Sequence, residues 1–154
     1  MQDVVVRKAS IPDIDSLIGL LEELFSIEED FVFNEQKQRE GLLLMLDAQD
    51  ERCVMVAEVD KKAVGMCSVQ TFISTAEGCS VGVVEDMVVS QKYRGKDIGK
   101  SLMKSIEEWS EEKGLVRLQL LADRNNIAAL EFYKKTGWCS TQLICFRKFS
   151  DRMK

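Results

Sequence analysis

The chain has 154 residues, 45% of them hydrophobic and 31% charged, with a formal net charge of −5 at pH 7. This composition excludes a disordered chain and predicts one globular domain over residues 1–154. The negative charge argues against a nucleic-acid partner, which would require a basic face. No apolar run approaches the ~20 residues that cross a bilayer, and the N-terminus does not resemble a signal peptide, so we expect a cytoplasmic protein with no membrane partner.

Histidine is absent, and the five cysteines are widely spaced without a CxxC pair. A zinc site usually draws four ligands from clustered cysteine and histidine, so we expect no metal. The absence of histidine also excludes catalysis by Ser-His-Asp or Cys-His groups. We interpret the cysteines as reduced thiols.

The first part of the chain predicts one strand followed by two helices. Residues 4–6 are three valines and predict a short strand. Residues 10–13 combine a capping serine, a proline and an acid, which predicts the start of a helix. Apolar residues recur at three- and four-residue steps over 14–25 and line one helical face. A second helix is predicted over 35–46, after an irregular acidic segment at 27–34.

The rest of the chain predicts strands that then alternate with helices. The predicted elements are a hairpin of strands at 54–59 and 63–72, a strand at 81–89, an amphipathic helix from Ile98 to Gly114, a strand at 115–121, a helix at 126–136 and a last strand or hairpin at 138–149. Antiparallel strands followed by a β-α-β-α unit indicate an α/β (α+β mixed) fold with at least one parallel pair and helices on both faces of the sheet.

Residues 91–101 leave a predicted strand and open a helix. Unpaired backbone N–H groups, the helix dipole and three cations, Arg94, Lys96 and Lys100, predict a site for a phosphorylated ligand. Gly95 and Gly99 would allow the ligand to approach the backbone. A glycine-containing loop with solvated lysines is the alternative. A Walker A loop is excluded because only three residues separate the glycines, and the Rossmann GxGxxG pattern is missing.

Three segments together carry a family resemblance. Residues 94–99, Arg-Gly-Lys-Asp-Ile-Gly, match the pattern Arg/Gln-x-x-Gly-x-Gly/Ala except at Asp97, where the pattern has glycine. Residues 84–89 are similar to the central strand that precedes that pattern. Residues 126–138 match Asn-x-x-Ala-x-x-aromatic-Tyr-x-x-x-Gly-aromatic. Over residues 81–138 the chain therefore resembles the GNAT family of N-acetyltransferases.

The resemblance implies a GNAT-like, mostly antiparallel central sheet with splayed central strands, and a single acetyltransferase domain. Its motif-bearing core would be 81–138, and its acceptor-side helices would cover about 10–50. Acetyl-CoA, the implied co-substrate, would lie between the splayed strands. The implied cofactor-binding residues are Met87, Val88, Val89, Arg94, Gly95, Lys96, Asp97, Ile98, Gly99, Lys100, Asn126, Ala129 and Tyr133.

The resemblance also implies two catalytic residues. Tyr133 would be the general acid that protonates the departing thiolate, and the alternative is a packing aromatic beside Phe132. Glu85 would be the general base, acting through water, and the alternative is an ion pair with Arg94 or a lysine. An unpaired carboxylate in a buried apolar strand is unfavourable in free energy, so we expect at least one of Glu85 and Asp86 to have a specific role.

The aspartate at position 97 leaves two interpretations open. Its carboxylate could repel a pyrophosphate, or it could cap the following helix and turn away from the ligand. The expected function is acetyl transfer from acetyl-CoA to a primary amine: a polyamine, amino acid, aminoglycoside, or peptide N-terminus or lysine. The alternative is a degenerate member that binds CoA or a partner without turnover. A homodimer is a further expectation.

Overall fold

The computed structural model describes residues 2–47 and 50–153, so residues 48–49 of the predicted acceptor-side stretch lie outside the described residues. Two compact units make up the chain, Met1–Leu120 and Leu121–Lys154. The main elements are β1 (Val4–Lys8), α1 (Ile14–Ile27), α2 (Glu35–Asp47), β2 (Arg52–Val59), β3 (Lys62–Ser74), β4 (Cys79–Val89), α3 (Ile98–Glu112), β5 (Leu118–Leu120) and α4 (Ile127–Lys135), with short 3-10 turns at Ile11–Asp13, Gln91–Tyr93 and Asp151–Met153.

The sheet of the first unit has the order β1-β2-β3-β4-β5. Its first four strands pair antiparallel, and β5 pairs parallel to β4. The β2–β3 hairpin turns at Asp60 and Lys61, whose φ angles of 50° and 64° are left-handed. The prediction of a mixed, mostly antiparallel sheet is confirmed.

Helices cover both faces of this sheet. On one face, Leu17 and Leu21 of α1 belong to a buried cluster with Val56 and Met66 of the strands. On the other face lies α3, whose Leu102 is fully buried. A Cβ added to Gly65 of β3 would lie 3.0 Å from the Leu102 Cδ1 atom, so the absent side chain lets α3 approach the sheet closely.

An ion-pair network holds the start of α1 against the sheet. The Arg7 guanidinium of β1 donates from both terminal nitrogens to the Asp13 carboxylate, each at 2.8 Å, and also to Glu58 of β2. Asp13 accepts a further hydrogen bond from the Ser10 backbone N–H at 2.8 Å. The Arg7 hydrogen bonds hold the pKa of Asp13 below its usual range. The predicted capping segment therefore anchors the helix as well as starting it.

The predicted last strand or hairpin at 138–149 is wrong, because these residues form neither helix nor strand. Several of their apolar side chains lie in solvent, with Leu143 89% and Phe146 87% exposed. Apolar, β-branched and aromatic residues favour a strand only where a neighbouring strand supplies hydrogen bonds. Among residues 2–47 and 50–153, no helix is long and apolar enough to cross a membrane.

Candidate active site

The parallel strands β4 and β5 form a fork. They pair only where Gly82, Val83 and Val84 lie beside Leu118, Gln119 and Leu120. Beyond Val84, β4 runs on to Val89, and no strand of the described chain pairs with it on the β5 side. Backbone groups along that edge therefore lack a strand partner, although the Val89 oxygen accepts a hydrogen bond from the Arg94 Nε. The expectation of splayed central strands is confirmed.

The closed end of the fork depends on a glycine. A Cβ added to Gly82 would lie 2.7 Å from Leu118 Cδ2, 3.0 Å from Val69 Cγ2 and 3.1 Å from Leu115 Cδ1. The side chains of β3 and β5 therefore meet over Gly82, where no larger residue could be accommodated without displacement.

A β-bulge lies in β4 just beyond the last paired residue. Met66 of β3 is opposite Val88 and Ser68 is opposite Glu85, so Cys67 alone faces two residues of β4, Asp86 and Met87. The backbone of Asp86 is left-handed, with φ 52°. Bulges bend a strand and change the direction of a side chain, and aspartate tolerates this left-handed conformation better than most residues.

The carboxyl group of Asp86 is partly buried and has a raised pKa. Its side chain is half-buried, and burial raises its pKa to about 7, helped by the nearby carboxylates of Glu85 and Glu28. The neighbouring Cys67 thiol is fully buried, and burial together with the Asp86 charge raises its pKa. No hydrogen bond or ion pair to the Asp86 carboxylate is formed within the described part of the chain. Sequence reasoning assigned Asp86 no role of its own.

Glu85, the predicted base, is the exposed neighbour of Asp86. It lies opposite Ser68 in the regular part of the ladder, and the Ser68 hydroxyl donates to the Glu85 backbone oxygen at 3.1 Å. Among the described residues, Glu85 forms no ion pair with Arg94 or a lysine. The ion-pair alternative is therefore wrong. A catalytic role for Glu85 stays a prediction.

The segment between β4 and α3 presents a row of backbone donors. The first bond of α3 runs from the Ser101 N–H to the Asp97 oxygen at 3.1 Å, and no acceptor in the described residues pairs with the N–H groups of residues 95–100. Gly95 has φ 76°, and a Cβ added there would meet no atom within 4 Å, so the space over the loop is open. Such a helix start, with open space and cations around it, suits a phosphorylated ligand.

Asp97 occupies the N-cap of α3 in the left-handed region, with φ 61° and ψ 16°. Its side chain makes no capping hydrogen bond. The interpretation of Asp97 as a helix cap is therefore wrong, because a capping residue has an extended backbone that directs its side chain at the first-turn N–H groups. The left-handed conformation also gives a physical reason for the glycine that the motif has at this position.

Two side chains fix this loop to the rest of the first unit. The Arg94 Nε donates to the Val89 backbone oxygen at 2.8 Å, which ties the loop to the end of β4. The Gln91 backbone N–H donates to the Glu23 Oε1 of α1 at 3.1 Å. Lys96 extends its Nζ to 5.4 Å from the centre of the Tyr93 ring. Sequence reasoning missed Glu23, because a contact between residues so far apart in the chain leaves no local pattern.

The second unit contains the other predicted residues, all on or beside α4. Asn126 is the N-cap of α4, and its Oδ1 accepts a hydrogen bond from the Ala129 N–H at 3.2 Å. Tyr133 packs edge-on against Phe132 and Trp138, with ring centroids 5.4 Å and 6.1 Å away. These ring contacts fit the packing alternative for Tyr133, and its role as the general acid stays a prediction.

Comparisons with known proteins agree with these features. The sequence model of the acetyltransferase (GNAT) family matches residues 19–138. An uncharacterized N-acetyltransferase of Archaeoglobus fulgidus is 30% identical over 83% of this chain and 88% of its own length. A spermidine N(1)-acetyltransferase of Thermoplasma acidophilum is 24% identical over 88% of both chains.

Solved structures show the same fold at lower sequence identity. An aminoglycoside N-acetyltransferase in complex with CoA superposes with a TM-score of 0.82 and 16% identity, over 97% of this chain and 96% of that one. The family match covers the fork, the bulge and the donor-rich loop, together with α4. The chain therefore belongs to the GNAT family of acetyltransferases and is an acetyl-transferring enzyme.

Proposed function

We propose that this enzyme transfers an acetyl group from acetyl-CoA to a primary amine of a small molecule or peptide. The fork between β4 and β5 carries the proposal, because it exposes the backbone of β4 directly before the donor-rich loop. An extended amide-containing chain can pair with the former while a pyrophosphate pairs with the latter. The structural relative solved with CoA supports the same ligand class.

The residues of the first unit fit acetyl-CoA. The backbone of Met87, Val88 and Val89 would pair with the pantetheine arm. The loop from Arg94 to Lys100, which includes Gly95, Lys96, Asp97, Ile98 and Gly99, would bind the pyrophosphate through its N–H groups and cations. In the second unit, the resemblance assigns Asn126, Ala129 and Tyr133 to the cofactor. The Asn126 carboxamide is committed to the helix cap, so we expect its contribution to be the shape of the α4 start.

Acetyl-CoA supplies an activated thioester, and the protein must assist two proton transfers. The acceptor must lose one to become a neutral nucleophile, and the departing thiolate must gain one. We propose Tyr133 as the donor, since an ordinary phenol pKa of ~10 favours donation to a thiolate over abstraction from an ammonium. For the acceptor proton, β4 offers two adjacent carboxylates: Glu85, as the sequence predicts, and Asp86.

A cationic amine is the favoured acceptor class. Glu28, at the end of α1, lies close enough to Asp86 to raise its pKa, and Glu85 is the next residue in β4. Negative charge in this region would attract an ammonium group. The relatives named for spermidine and aminoglycosides act on such compounds, as their names state. A cytoplasmic location, a homodimer and a single domain over the whole chain stay predictions from the sequence.

The test is thiol release from acetyl-CoA with spermidine, an aminoglycoside, free amino acids and a lysine peptide, each product checked by mass spectrometry. We expect acetylation of at least one of these amines. Thermal shift with acetyl-CoA is measured in parallel, since a ligand that binds the folded state raises the melting temperature. A shift without product from any amine would favour the alternative, a member of the family that binds CoA without turnover.

A further inference from the structure

We propose that Asp86, and not the exposed Glu85, removes the proton from the acceptor amine. This inference rests on the proposed function and assigns one step of it to a residue. Glu85 was favoured by its place in the family motif. The local geometry of β4 distinguishes the two carboxylates in four respects: position in the fork, backbone conformation, burial and surrounding charge.

Asp86 lies where the reaction centre of a thioester bound in the fork would lie. Val84 is the last residue of β4 that pairs with β5, and Asp86 is two residues beyond it, at the start of the unpaired edge. Glu85 remains in the regular ladder with β3, opposite Ser68, whereas Asp86 is in the bulge. The bulge interrupts the alternation of side chains, so it can direct Asp86 differently from a regular strand residue.

The backbone of Asp86 is held in a conformation that a strand does not favour. Its φ of 52° is left-handed, although it lies within an eleven-residue strand. Such a conformation persists only where the surrounding structure enforces it, here the two residues of β4 that share Cys67 as their neighbour. A structural aspartate would be expected to use this conformation for a local hydrogen bond. The Asp86 carboxylate makes none within the described chain.

The charges around Asp86 leave it without a compensating cation. Glu85 is its neighbour in β4, Glu28 approaches from the end of α1, and Cys67 lies beside it in β3. Burial raises the free energy of a negative charge on Asp86, and the charges of Glu85 and Glu28 raise it further. The described ion pairs bring no lysine or arginine to the Asp86 carboxylate. A carboxylate that is short of positive charge and still half-accessible takes a proton from an incoming ammonium readily.

The proposed step is balanced in protons and electrons. One N–H bond of the acceptor ammonium breaks, its proton moves to a carboxylate oxygen of Asp86, and the electron pair remains on nitrogen. That pair forms the C–N bond to the acetyl carbon while the C–S bond breaks and its electrons leave on sulfur. The thiolate is then protonated by Tyr133 under the proposed function. The second N–H proton, which becomes acidic once the C–N bond has formed, passes to the tyrosinate, so that the amide is neutral and Tyr133 is restored. Asp86 returns its proton to solvent before the next turnover.

The test compares Asp86→Asn with Glu85→Gln, using spermidine, an aminoglycoside and a lysine peptide as acceptors. Asparagine keeps the size of the side chain and tolerates left-handed backbone. We expect kcat/KM of the wild type to fall below pH 7. At pH 7, kcat/KM of Asp86→Asn should be about 10²-fold below that of the wild type, and it should recover in part at higher pH, where more of the amine is neutral. Glu85→Gln should still show a loss of kcat/KM at low pH, shifted to lower pH, because the Glu85 charge helps to raise the pKa of Asp86. If Asp86→Asn does not fold, Asp86→Gly replaces it, because glycine relaxes the left-handed backbone.

A substrate-free measurement tests the same residue independently. Carboxyl carbon NMR of ¹³C-labelled wild-type protein should show one aspartate that titrates near pH 7, and that resonance should be absent in the Asp86 variant. The proposal is overturned if Asp86 titrates in the ordinary range, or if Asp86→Asn keeps both the wild-type rate and its acid limb. Failure of the proposed function looks different: the wild type would release no thiol with any of these amines, and the assignment of Asp86 would fall with it.

Discussion

The Arg94 Nε donates to the Val89 backbone oxygen at 2.8 Å. The Arg94 side chain therefore links the loop that precedes α3 to the end of β4. This bond leaves the two terminal nitrogens of the guanidinium without an acceptor in the described residues. Two guanidinium nitrogens in one plane can donate a pair of hydrogen bonds to a phosphate group.

Replacement of Arg94 by lysine should therefore weaken acetyl-CoA binding although charge is kept. Loss of one charge-assisted hydrogen bond costs about 1.5–3 kcal/mol, which corresponds to a roughly ten- to hundredfold increase in Kd. Isothermal titration calorimetry measures it. Lys92→Arg, at an exposed position of the preceding 3-10 turn, is the control and should bind as the wild type does. Equal affinity in both variants would contradict the assignment of Arg94 to the pyrophosphate.

Gly99→Val should abolish the thermal shift that acetyl-CoA produces. Gly99 is in the first turn of α3, where N–H groups are unpaired, and a branched side chain would keep a ligand from the backbone. Gly41→Val in α2 is the matched control, since a Cβ there meets no atom within 4 Å and valine carries the same helix cost. An unchanged shift in Gly99→Val would mean that the pyrophosphate binds elsewhere.

Asp97→Gly should stabilise the protein by up to about 1 kcal/mol, because glycine adopts left-handed backbone without the steric cost of a Cβ. It should also tighten acetyl-CoA binding if the carboxylate repels the pyrophosphate. Asp97→Asn separates these effects, since it removes the charge and keeps a side chain. Urea unfolding and calorimetry measure them. A glycine variant that is less stable than the wild type would show that Asp97 makes a stabilising contact after all.

Asp86→Asn should stabilise the fold in a pH-dependent way. The pKa of Asp86 is raised from 3.8 to about 7, so the folded state binds this proton more tightly than the unfolded state does. Stability from this group is present below about pH 4 and is lost as pH rises to about 7. Asparagine carries no charge at any pH, so above pH 7 the free energy of unfolding of the variant should exceed that of the wild type by up to about 4 kcal/mol, at ~1.4 kcal/mol per pKa unit.

Urea unfolding at pH 4 and pH 8 measures this difference. Asp86→Asn should match the wild type at the lower pH and exceed it at the higher pH. Glu85→Gln, at the exposed neighbouring position, should change stability by less than about 0.5 kcal/mol at both. A variant that is equally stable or less stable at pH 8 would mean that some group compensates the charge of Asp86.

Tyr133→Phe should reduce turnover by the ~10²–10⁴-fold that a positioned general acid contributes, while the affinity for acetyl-CoA stays near that of the wild type. Phenylalanine keeps the ring contacts with Phe132 and Trp138, so the fold should be maintained. No recovery at high pH is expected, unlike for Asp86→Asn. Tyr93→Phe, at the other tyrosine of the chain, should retain turnover. A wild-type rate in Tyr133→Phe would transfer the acid role to water or another group.

Much of the fold was predictable because its signals are local. The apolar spacing along α1 and α3 predicted both helices, and the buried stripe from Ile98 to Trp109 matches it. The prediction of a last strand was wrong because residues 138–149 have strand-like composition but pair with no strand among the described residues. Composition reports what a segment prefers, whereas a sheet also requires a partner.

The candidate site was predictable in place but not in conformation. Motif spacing identified the loop at 94–100. The sequence did not indicate that the backbone of Asp97 would be left-handed or that its side chain would make no capping hydrogen bond. The bulge at Asp86 follows from a one-residue mismatch between β3 and β4. Such a mismatch depends on how two distant segments align, and neither segment encodes it alone.

Gly82 gives the fork a fixed depth. Because Leu118, Val69 and Leu115 close over the bare Cα of this residue, β5 cannot separate from β4 below it without opening packed hydrophobic surface. A group entering between the strands therefore meets the paired segment at Val84, one residue before Glu85 and two before Asp86 along β4. The depth to which a ligand could enter between these two strands is thus limited by the packing around Gly82.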